Sequence, residues 1–523
     1  MARTSSLPPL ITSLLKPGAY PHPADGIELI QTHISYVLLA GAYAYKIKKP
    51  ASFGFVDYST LELRRRYCEE EVRLNRRLCD DVYLGVTPIV RTADGVRMGG
   101  DGEPEEYAVR MRRVPDERTL PRLIERGAAS DEDVRRVART IAAFHASAER
   151  SEAIAAYGRA PAVLANWHEN FEQTRGYIGA TITQEAFDAI HAYVTGFLED
   201  HGDLFERRAD DGRVRDGHGD LRCDSIAIHE GGRICVMDCI EFSDRLRYGD
   251  VAADIGFLAM DLDARGRIDL ADELIGAYIG ATDDETLPLA LPFYRCYRAY
   301  VRGKVESFRS SEDEVPAAER GASASRARAC FELAARYATE RHPPTAVVMV
   351  GLAGSGKSHL ANALGGRIGA AIVSSDAIRR EAPGGAKQRA AYGEGPYTEA
   401  ARADVYAAMR ERAAALLAQG FSVILDATHI AREQRDAARD LASRAGARFL
   451  AVHVDTPMES VRRHFEARAR EEHTTSDADM EVYLTQRARM DPPTEIPAPE
   501  LMRVDGSARA AENVEWIAQR PSG

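Results

Sequence analysis

The sequence predicts a multidomain α/β protein whose C-terminal part is built on a parallel sheet. Its 523 residues are enough for two to four domains. The apolar, β-branched run at residues 346–350 is typical of a buried parallel strand, and a glycine-rich loop follows at residues 351–358. After the loop, apolar residues recur at Leu360, Leu364 and Ile368, as on a helix. A strand, a glycine loop and a helix in this order surround one anion with backbone N–H groups.

The loop at residues 351–358 fits the Walker A pattern G-x-x-x-x-G-K-[ST]. In such a loop Lys357 would reach the β- and γ-phosphates of a nucleotide, and the Ser358 hydroxyl would bind Mg²⁺. A glycine-rich turn without nucleotide is the alternative, and the flanking strand and helix argue against it. The residues predicted to bind the nucleotide phosphates here are Gly351, Gly354, Ser355, Gly356, Lys357 and Ser358.

Composition and charge exclude several classes of protein. A net charge of −12 argues against a globally basic nucleic-acid binder. No apolar run approaches the length needed to span a bilayer, and the first residues show no signal-peptide pattern. The 7 scattered cysteines are expected to be reduced thiols. We therefore expect a cytoplasmic protein without a membrane partner.

The N-terminal region begins with strands and continues with a helix. Residues 28–32, 36–40 and 42–48 are predicted strands, and the last of them carries Lys46 and Lys48 on one face. Glu71 follows on the helix, with its side chain on the apolar face. A strand lysine and a helix glutamate in this order are typical of the ion pair in a kinase small lobe. A solvated Lys/Glu surface fits these residues equally well.

A second constellation of polar residues lies at residues 218–238. His218-Gly219-Asp220 forms a loop, and a predicted hairpin turning at Gly231-Gly232 ends in Asp238. In phosphoryl transfer, one carboxylate accepts the proton of the substrate hydroxyl and a second holds Mg²⁺. Asp220 and Asp238 have the spacing for these two roles.

Residues 25–310 resemble the aminoglycoside phosphotransferase and choline kinase group. The resemblance is carried by His218-Gly219-Asp220, by Asp-Cys-Ile-Glu-Phe at 238–242 and by Asp-Val-Ala-Ala-Asp at 250–254. Residues 32–35 and 45–50 resemble a bacterial branch in which this domain is fused to a P-loop kinase.

The resemblance implies a protein-kinase-like, two-lobed α+β domain. It makes Asp220 the catalytic base, Asp238 a Mg²⁺ ligand, and Lys46 with Glu71 the pair that orients the phosphates. Lys48 competes with Lys46 for this role.

One position departs from that family. The group has an asparagine five residues after the catalytic aspartate, as a second metal ligand. This chain has Ser225 there, preceded by Asp224. Serine is a poor Mg²⁺ ligand, and a small change of register would let Asp224 substitute for it. An active site and a degenerate, regulatory site both remain open for the N-terminal domain.

The C-terminal region continues as alternating strands and helices. Residues 370–374, 421–425, 449–454 and 501–504 are predicted strands of a parallel sheet covered on both faces. Ligands bind beyond the carboxyl ends of such strands, where Asp376 and Asp426 lie. Asp376 and Arg379 form a D-x-x-R unit placed to contact an acceptor hydroxyl and a neighbouring anion. Asp426 would lie behind the Mg²⁺ site.

Arginines crowd one predicted helix near residue 465. Like charges at this spacing repel unless they meet anions. A mobile lid of small P-loop kinases carries such arginines, and a solvated helix balanced by glutamates is the alternative. The arginines are Arg462, Arg463, Arg468 and Arg470.

Residues 345–505 resemble P-loop kinases of the polynucleotide kinase and zeta-toxin type. The matching strings are those at 351–358, 375–379, 392–395 and 423–428. The resemblance implies that Asp376 is the general base and Arg379 a contact to substrate phosphate. It also implies that Arg462 and Arg468 belong to the lid.

Together these patterns predict a kinase-like domain at 1–342 and a P-loop domain at 343–523. Each would use ATP and Mg²⁺ to phosphorylate a hydroxyl of a small molecule, such as a sugar, an aminocyclitol or a nucleoside-like alcohol. Two alternatives remain: a kinase for the 5′-hydroxyl of nucleic acids in the C-terminal domain, and an ATP-dependent regulatory switch. The acidic composition disfavours nucleic acid as a partner.

Overall fold

The structure is a computed structural model that describes residues 7–53, 56–93, 95–313, 315–340, 342–381, 398–468 and 479–519. It divides into two compact units. The first comprises Met1–Thr174, Phe205–Asp261 and Lys304–Ala327, and the second comprises Arg175–Leu204, Leu262–Gly303 and Arg328–Gly523. These units follow packing rather than chain order, so the division at residues 342 and 343 stays a prediction.

Strands and helices are labelled in chain order. The strands are β1 Glu28–Gln31, β2 Ser35–Ala40, β3 Tyr43–Lys48, β4 Ser52–Phe53, β5 Val56–Asp57, β6 Tyr83–Thr92, β7 Gly95–Met98, β8 Pro104–Arg112, β9 Val214–Asp216, β10 Ile226–Ile228, β11 Ile234–Val236, β12 Tyr248–Asp250, β13 Thr345–Val350, β14 Ala370–Ser374, β15 Ser422–Asp426, β16 Arg448–Asp455 and β17 Leu501–Asp505. The helices are α1 Pro9–Leu14, α2 Leu61–Asn75, α3 Leu120–Glu125, α4 Asp131–Ser147, α5 Glu152–Ala155, α6 Ala160–Thr174, α7 Gln184–Asp210, α8 Asp244–Arg247, α9 Val251–Ala264, α10 Ile268–Thr282, α11 Leu287–Ser311, α12 Ala317–Thr339, α13 Lys357–Ile368, α14 Ser375–Glu381, α15 Glu399–Ala418, α16 Arg432–Arg444, α17 Met458–Arg468, α18 Met480–Arg489 and α19 Ala510–Ala518. None of the described helices is long and apolar enough to cross a bilayer.

The first unit contains an antiparallel sheet of six strands in the order β1-β2-β3-β8-β6-β7. The three strands predicted at its start are confirmed as β1, β2 and β3. Side chains alternate along β3, so Tyr45 and Ile47 are buried in a core with Leu38 and Ala108. Lys46 and Lys48 alternate with these residues and point to the opposite face, which α2 covers.

The predicted hairpin is also confirmed. Strands β10 and β11 pair antiparallel with Ile226 opposite Val236. Gly231 and Gly232 at its turn have φ of 78° and 80°, which glycine adopts without steric cost. The Met237 N–H donates to the Ser225 carbonyl oxygen at 2.8 Å. The hairpin therefore carries Asp238 back to the loop that contains Asp220.

The second unit contains the predicted parallel sheet, in the order β14-β15-β13-β16-β17. Every pairing in it is parallel. The central strand β13 is buried along its whole length, as its unbroken apolar run predicts. The carboxyl ends of β13, β14 and β15 lead into the glycine loop, Asp376 and Asp426. The topology thus brings the residues predicted from three separate strings to one edge of the sheet.

The cysteine expectation is wrong for one pair. Cys79, just after α2, and Cys235 on β11 form a disulfide whose Cα atoms lie 4.8 Å apart. The two residues are 156 positions apart in the sequence, so no local spacing indicates the pairing. The other described cysteines do not take part in a disulfide.

Helices α10 and α13 pack closely within the second unit. A Cβ on Gly366 would lie 2.3 Å from Ile275, and a Cβ on Gly276 would lie 3.2 Å from Ala363. Beside this contact, Arg367 on α13 donates two hydrogen bonds to the buried carboxylate of Asp272 on α10, one of them at 2.9 Å. Helix α13, which begins with Lys357, is therefore held by a helix from much earlier in the chain.

We expect Arg367→Ala to destabilise the protein by about 2–3 kcal/mol, because it leaves the Asp272 carboxylate buried without its charged partner. Denaturant unfolding of the full chain measures this. Arg432→Ala is the matched control, since Arg432 pairs with Asp436 on an exposed helix face and such pairs contribute little. Equal unfolding midpoints for the two variants would show that the ion pair of Arg367 with Asp272 does not stabilise the fold.

Candidate active sites

The first site centres on Lys46 in β3. Its Nζ lies 2.8 Å from the Glu71 carboxylate on α2 and 3.0 Å from the Asp238 carboxylate. Burial alone would raise the pKa of Glu71, but Lys46 and Lys48 reverse the direction and lower it. The sequence hypothesis of a strand lysine paired with a helix glutamate thus matches the observed contacts.

Lys48 contacts the other oxygen of Glu71, at 2.7 Å, but it lies in a different environment. Its side chain is fully buried and also contacts Glu241, which accepts a 2.6 Å hydrogen bond from the Tyr58 hydroxyl. Because its ammonium group is paired with the buried carboxylates of Glu71 and Glu241, Lys48 holds β3 and α2 together. Lys46 alone of the two reaches Asp238.

The His218-Gly219-Asp220 loop is anchored by Asp254 of α9. The backbone N–H groups of His218 and Gly219 donate to the Asp254 carboxylate at 2.7 and 2.9 Å. His218 Nε2 lies 2.9 Å from the Met237 carbonyl oxygen, which ties the loop to the segment before Asp238. Burial lowers the pKa of His218, so the neutral ring is favoured.

Gly219 is required by the geometry of this loop. Its φ is 83°, and a Cβ there would lie 2.8 Å from the Leu246 carbonyl oxygen. The close approach fixes the backbone next to Asp220. Any side chain at this position would move the carboxylate that the sequence predicts to be the base.

Arg222 contacts the Asp220 side chain. Two of its nitrogens lie 3.2 Å from the Asp220 carboxylate, and a third lies 2.8 Å from Asp224. The Ser225 hydroxyl donates to the Arg222 carbonyl oxygen at 2.7 Å and accepts from its N–H at 3.2 Å. Ser225 therefore closes a backbone turn instead of offering its oxygen to a cation.

The donor set of this site fits one Mg²⁺ ion. The Asp238 side chain is 60% exposed, and Lys46 lowers its pKa, so the carboxylate is ionised. Mg²⁺ keeps several waters and is commonly bound by one or two carboxylates together with substrate phosphates. Asp238 would supply one such ligand.

The second site is formed by the glycine loop between β13 and α13. Gly351, Gly354 and Gly356 have φ of 149°, 73° and 89°. A Cβ on Gly351 would lie 2.7 Å from the Val454 carbonyl oxygen, and one on Gly354 would lie 2.6 Å from the Phe465 ring. The backbone can take this conformation only with glycine. The result is the cradle that the sequence pattern predicts.

Lys357, Ser358 and Asp426 meet at the base of this loop. The Lys357 ammonium donates to the Leu352 carbonyl oxygen at 2.7 Å. The pKa of Asp426 is raised by burial, although a hydrogen bond with Ser358 and the charge of Lys357 act in the opposite direction. A carboxylate beside a serine hydroxyl and an ammonium group fits a Mg²⁺-nucleotide.

Asp376 lies next to this group, in the first turn of α14. The charge of Asp376 raises the pKa of Asp426. Asp376 also forms an ion pair with Arg379 one turn later. Burial raises the pKa of the Tyr406 phenol, and the charges of Arg379 and Arg402 act in the opposite direction. The Tyr406 hydroxyl lies 3.3 Å from Thr428. Two guanidinium groups therefore lie near Tyr406.

Helices α17 and α18 contact the glycine loop. His464 Nδ1 lies 2.8 Å from the Gly354 carbonyl oxygen, and Gln486 accepts a 2.8 Å hydrogen bond from the Ala353 N–H. Arg462 lies exposed on α17. The side chain of Arg468, the whole of Arg470 and the string at 392–395 lie outside the described residues, so the lid assignment stays a prediction.

Several contacts escaped the sequence reasoning. Asp254 lies inside a string that carried the resemblance, but nothing in its spacing indicated that it binds the loop at 218–219. Arg222 lies two residues from Asp220, and that proximity was the available signal. Tyr406 and Arg402 come from a helix whose sequence shows no motif.

Two family models match separate parts of the chain, and longer relatives match most of it. The phosphotransferase enzyme family matches residues 62–289, and an AAA domain matches residues 347–493. "Uncharacterized protein Rv2004c" of Mycobacterium tuberculosis is 34% identical over 474 residues, which cover 88% of this chain and 90% of the relative. "Uncharacterized protein Mb2027c" of Mycobacterium bovis gives the same values. These matches confirm both resemblances that the motifs predict.

Two solved structures are each similar to a part of the chain. A choline/ethanolamine kinase family protein from Mesorhizobium loti is 13% identical with a TM-score of 0.37, over 61% of this chain and 94% of its own. A gluconokinase from Sinorhizobium meliloti 1021 is 23% identical with a TM-score of 0.25, over 34% of this chain and 90% of its own.

Proposed function

We propose that this chain, which belongs to the family of the mycobacterial proteins Rv2004c and Mb2027c, transfers the γ-phosphoryl group of ATP to a hydroxyl of a small molecule. The chain joins a phosphotransferase-family domain to a P-loop kinase domain. The observation that carries this proposal is the meeting of Lys357, Ser358, Asp426 and Asp376 at one edge of the parallel sheet. Mg²⁺ would neutralise charge on the nucleotide phosphates there.

In the second site the residues divide into three roles. Lys357 and the loop N–H groups would hold the phosphates, and Ser358 with Asp426 would hold Mg²⁺. Asp376 would accept the proton of the acceptor hydroxyl, while Arg379 orients its carboxylate through their ion pair. Arg379 and Arg402 favour an acceptor that carries an anionic group beside the hydroxyl.

In the first site Lys46 would orient the phosphates, with Glu71 holding its ammonium group. Asp238 would bind one Mg²⁺, and Asp220 would accept the hydroxyl proton. Arg222 contacts the carboxylate of Asp220, so an acceptor has to approach beside a guanidinium group. This geometry supports a site with one metal ligand fewer than the resemblance implies.

Label transfer from γ-labelled ATP tests the proposal. The full chain is incubated with Mg²⁺, labelled ATP and separate pools of sugars, aminocyclitols, nucleosides and oligonucleotides with a free 5′-hydroxyl. Label in a small alcohol supports the proposal. Label in the oligonucleotide, with a steep loss of binding as salt rises, indicates the nucleic-acid kinase instead. ATP binding without transfer to any pool indicates the regulatory switch.

We expect Asp238→Ala to remove Mg²⁺-dependent ATP binding at the first site, because it removes the exposed carboxylate ligand. The measurement is calorimetry of the full chain carrying Lys357→Ala, which weakens the second site, with and without Mg²⁺. Asp101→Ala is the matched control, since Asp101 is exposed on the loop between β7 and β8. Binding that survives Asp238→Ala, or that is lost in the control alone, would contradict the assignment of Asp238.

A further inference from the structure

The loop between α10 and α11 reaches the strand that leads to Asp376. This loop lies within the part matched by the phosphotransferase family, at 62–289, yet it packs in the second unit together with the P-loop. Strand β14 is the edge strand of the parallel sheet, with β15 as its neighbour. Its other side is therefore open to contacts from outside the sheet.

Glu285 covers that open side of β14. Its backbone carbonyl oxygen accepts from the Ile372 N–H at 3.1 Å, and its side-chain Oε1 accepts from the Ser374 N–H at 3.2 Å. The side chain is 18% exposed. Its second oxygen faces Arg412, which lies 3.3 Å away and also pairs with Glu381.

Ser374 connects Glu285 to helix α14, which carries Asp376. Its hydroxyl accepts hydrogen bonds from the N–H groups of Asp376 at 3.2 Å and Ala377 at 3.4 Å. Capping of this kind fixes the backbone of a first helical turn. A second contact comes from the same loop, where Asp283 lies 3.2 Å from Arg380 of α14.

We propose that Glu285 is a positioning residue for Asp376, acting through Ser374. This inference rests on the proposed function of the second site, since Asp376 is the base only in that reading. A general base works within hydrogen-bond reach of its proton, and a displacement of about 1 Å can cost about a hundred-fold in rate. The loop at 283–286 thus belongs functionally to the P-loop kinase, although the family match assigns it to the other domain.

The test measures ATP hydrolysis by the full chain with Mg²⁺, with water as the acceptor. The rate that Lys357→Ala removes is taken as the turnover of the second site. We expect Glu285→Ala to lower kcat of this turnover by about ten-fold or more, with KM for ATP unchanged within about two-fold. Glu285→Gln keeps the oxygen that accepts from Ser374 and should restore most of kcat.

Two further variants separate positioning from loss of stability. Glu381→Ala removes the other partner of Arg412 without touching Ser374, and should leave kcat unchanged. Ser374→Ala keeps the backbone contacts of Glu285 but removes the helix cap, and should lower kcat as Glu285→Ala does. It also decides the matter if Glu285→Ala fails to fold.

The outcomes are distinct. Wild-type kcat in both Glu285→Ala and Ser374→Ala overturns the inference and leaves the proposed function intact. An equal fall in Glu381→Ala also overturns it, because Arg412 would then be the cause. Wild-type turnover that does not depend on Lys357 overturns the proposed function of this site, and the inference with it.

Discussion

Lys357→Ala is expected to abolish nearly all ATP turnover by the second site. The ammonium group lies at the base of the glycine loop, and the substitution removes a charge that stabilises the transferring phosphoryl group. Loss of such a group typically costs about 3–4 kcal/mol, a factor of about 10²–10³ in rate. The measurement is Mg²⁺-dependent ATP hydrolysis by the full chain in the Asp238→Ala background, which weakens the first site.

The matched control for this prediction is Lys16→Ala, an exposed lysine in the first unit. It should leave both turnover and the unfolding midpoint unchanged. If Lys357→Ala keeps normal turnover while the protein stays folded, the phosphate-loop assignment is wrong.

Asp376→Asn is expected to remove acceptor phosphorylation while ATP affinity stays nearly intact. The change keeps the shape of the side chain and removes the proton acceptor, so the loss falls on kcat. General-base catalysis contributes about 10²–10⁴-fold. Label transfer to the best acceptor from the pools, together with calorimetry of ATP binding, measures the two quantities separately.

Asp404→Asn on α15 is the matched control, because Asp404 is exposed. It should behave like the wild type. An equal loss of nucleotide binding and turnover in Asp376→Asn would instead make Asp376 part of the metal site, together with Asp426.

The parallel sheet was predictable because most of its strands are apolar runs, although β17 carries the exposed Arg503 between two buried residues. The glycine loop was predictable because its φ values exclude other residues at Gly351, Gly354 and Gly356. Once those strands are parallel, their carboxyl ends must meet, and this brings Asp376 and Asp426 together without any further information.

Contacts between distant segments were not predictable in the same way. Lys46 and Lys48 have the same residue type on the same face, and only their environments separate them, since Glu241 and Tyr58 surround the second. Two other contacts join segments that lie far apart in the sequence and share no motif: the disulfide of Cys79 with Cys235 and the hydrogen bond of Ser374 to Glu285. Such contacts depend on how the elements pack, and a single sequence does not record that.

The loop at Glu285 has a further consequence for self-association. An edge strand with unpaired N–H groups is a template to which another molecule can add a strand. In this protein the N–H groups of Ile372 and Ser374 are already bonded to Glu285, so that template is closed. A chain cut at residue 342 would lose this cover and expose the edge of β14, so a separated P-loop half should tend to aggregate through it.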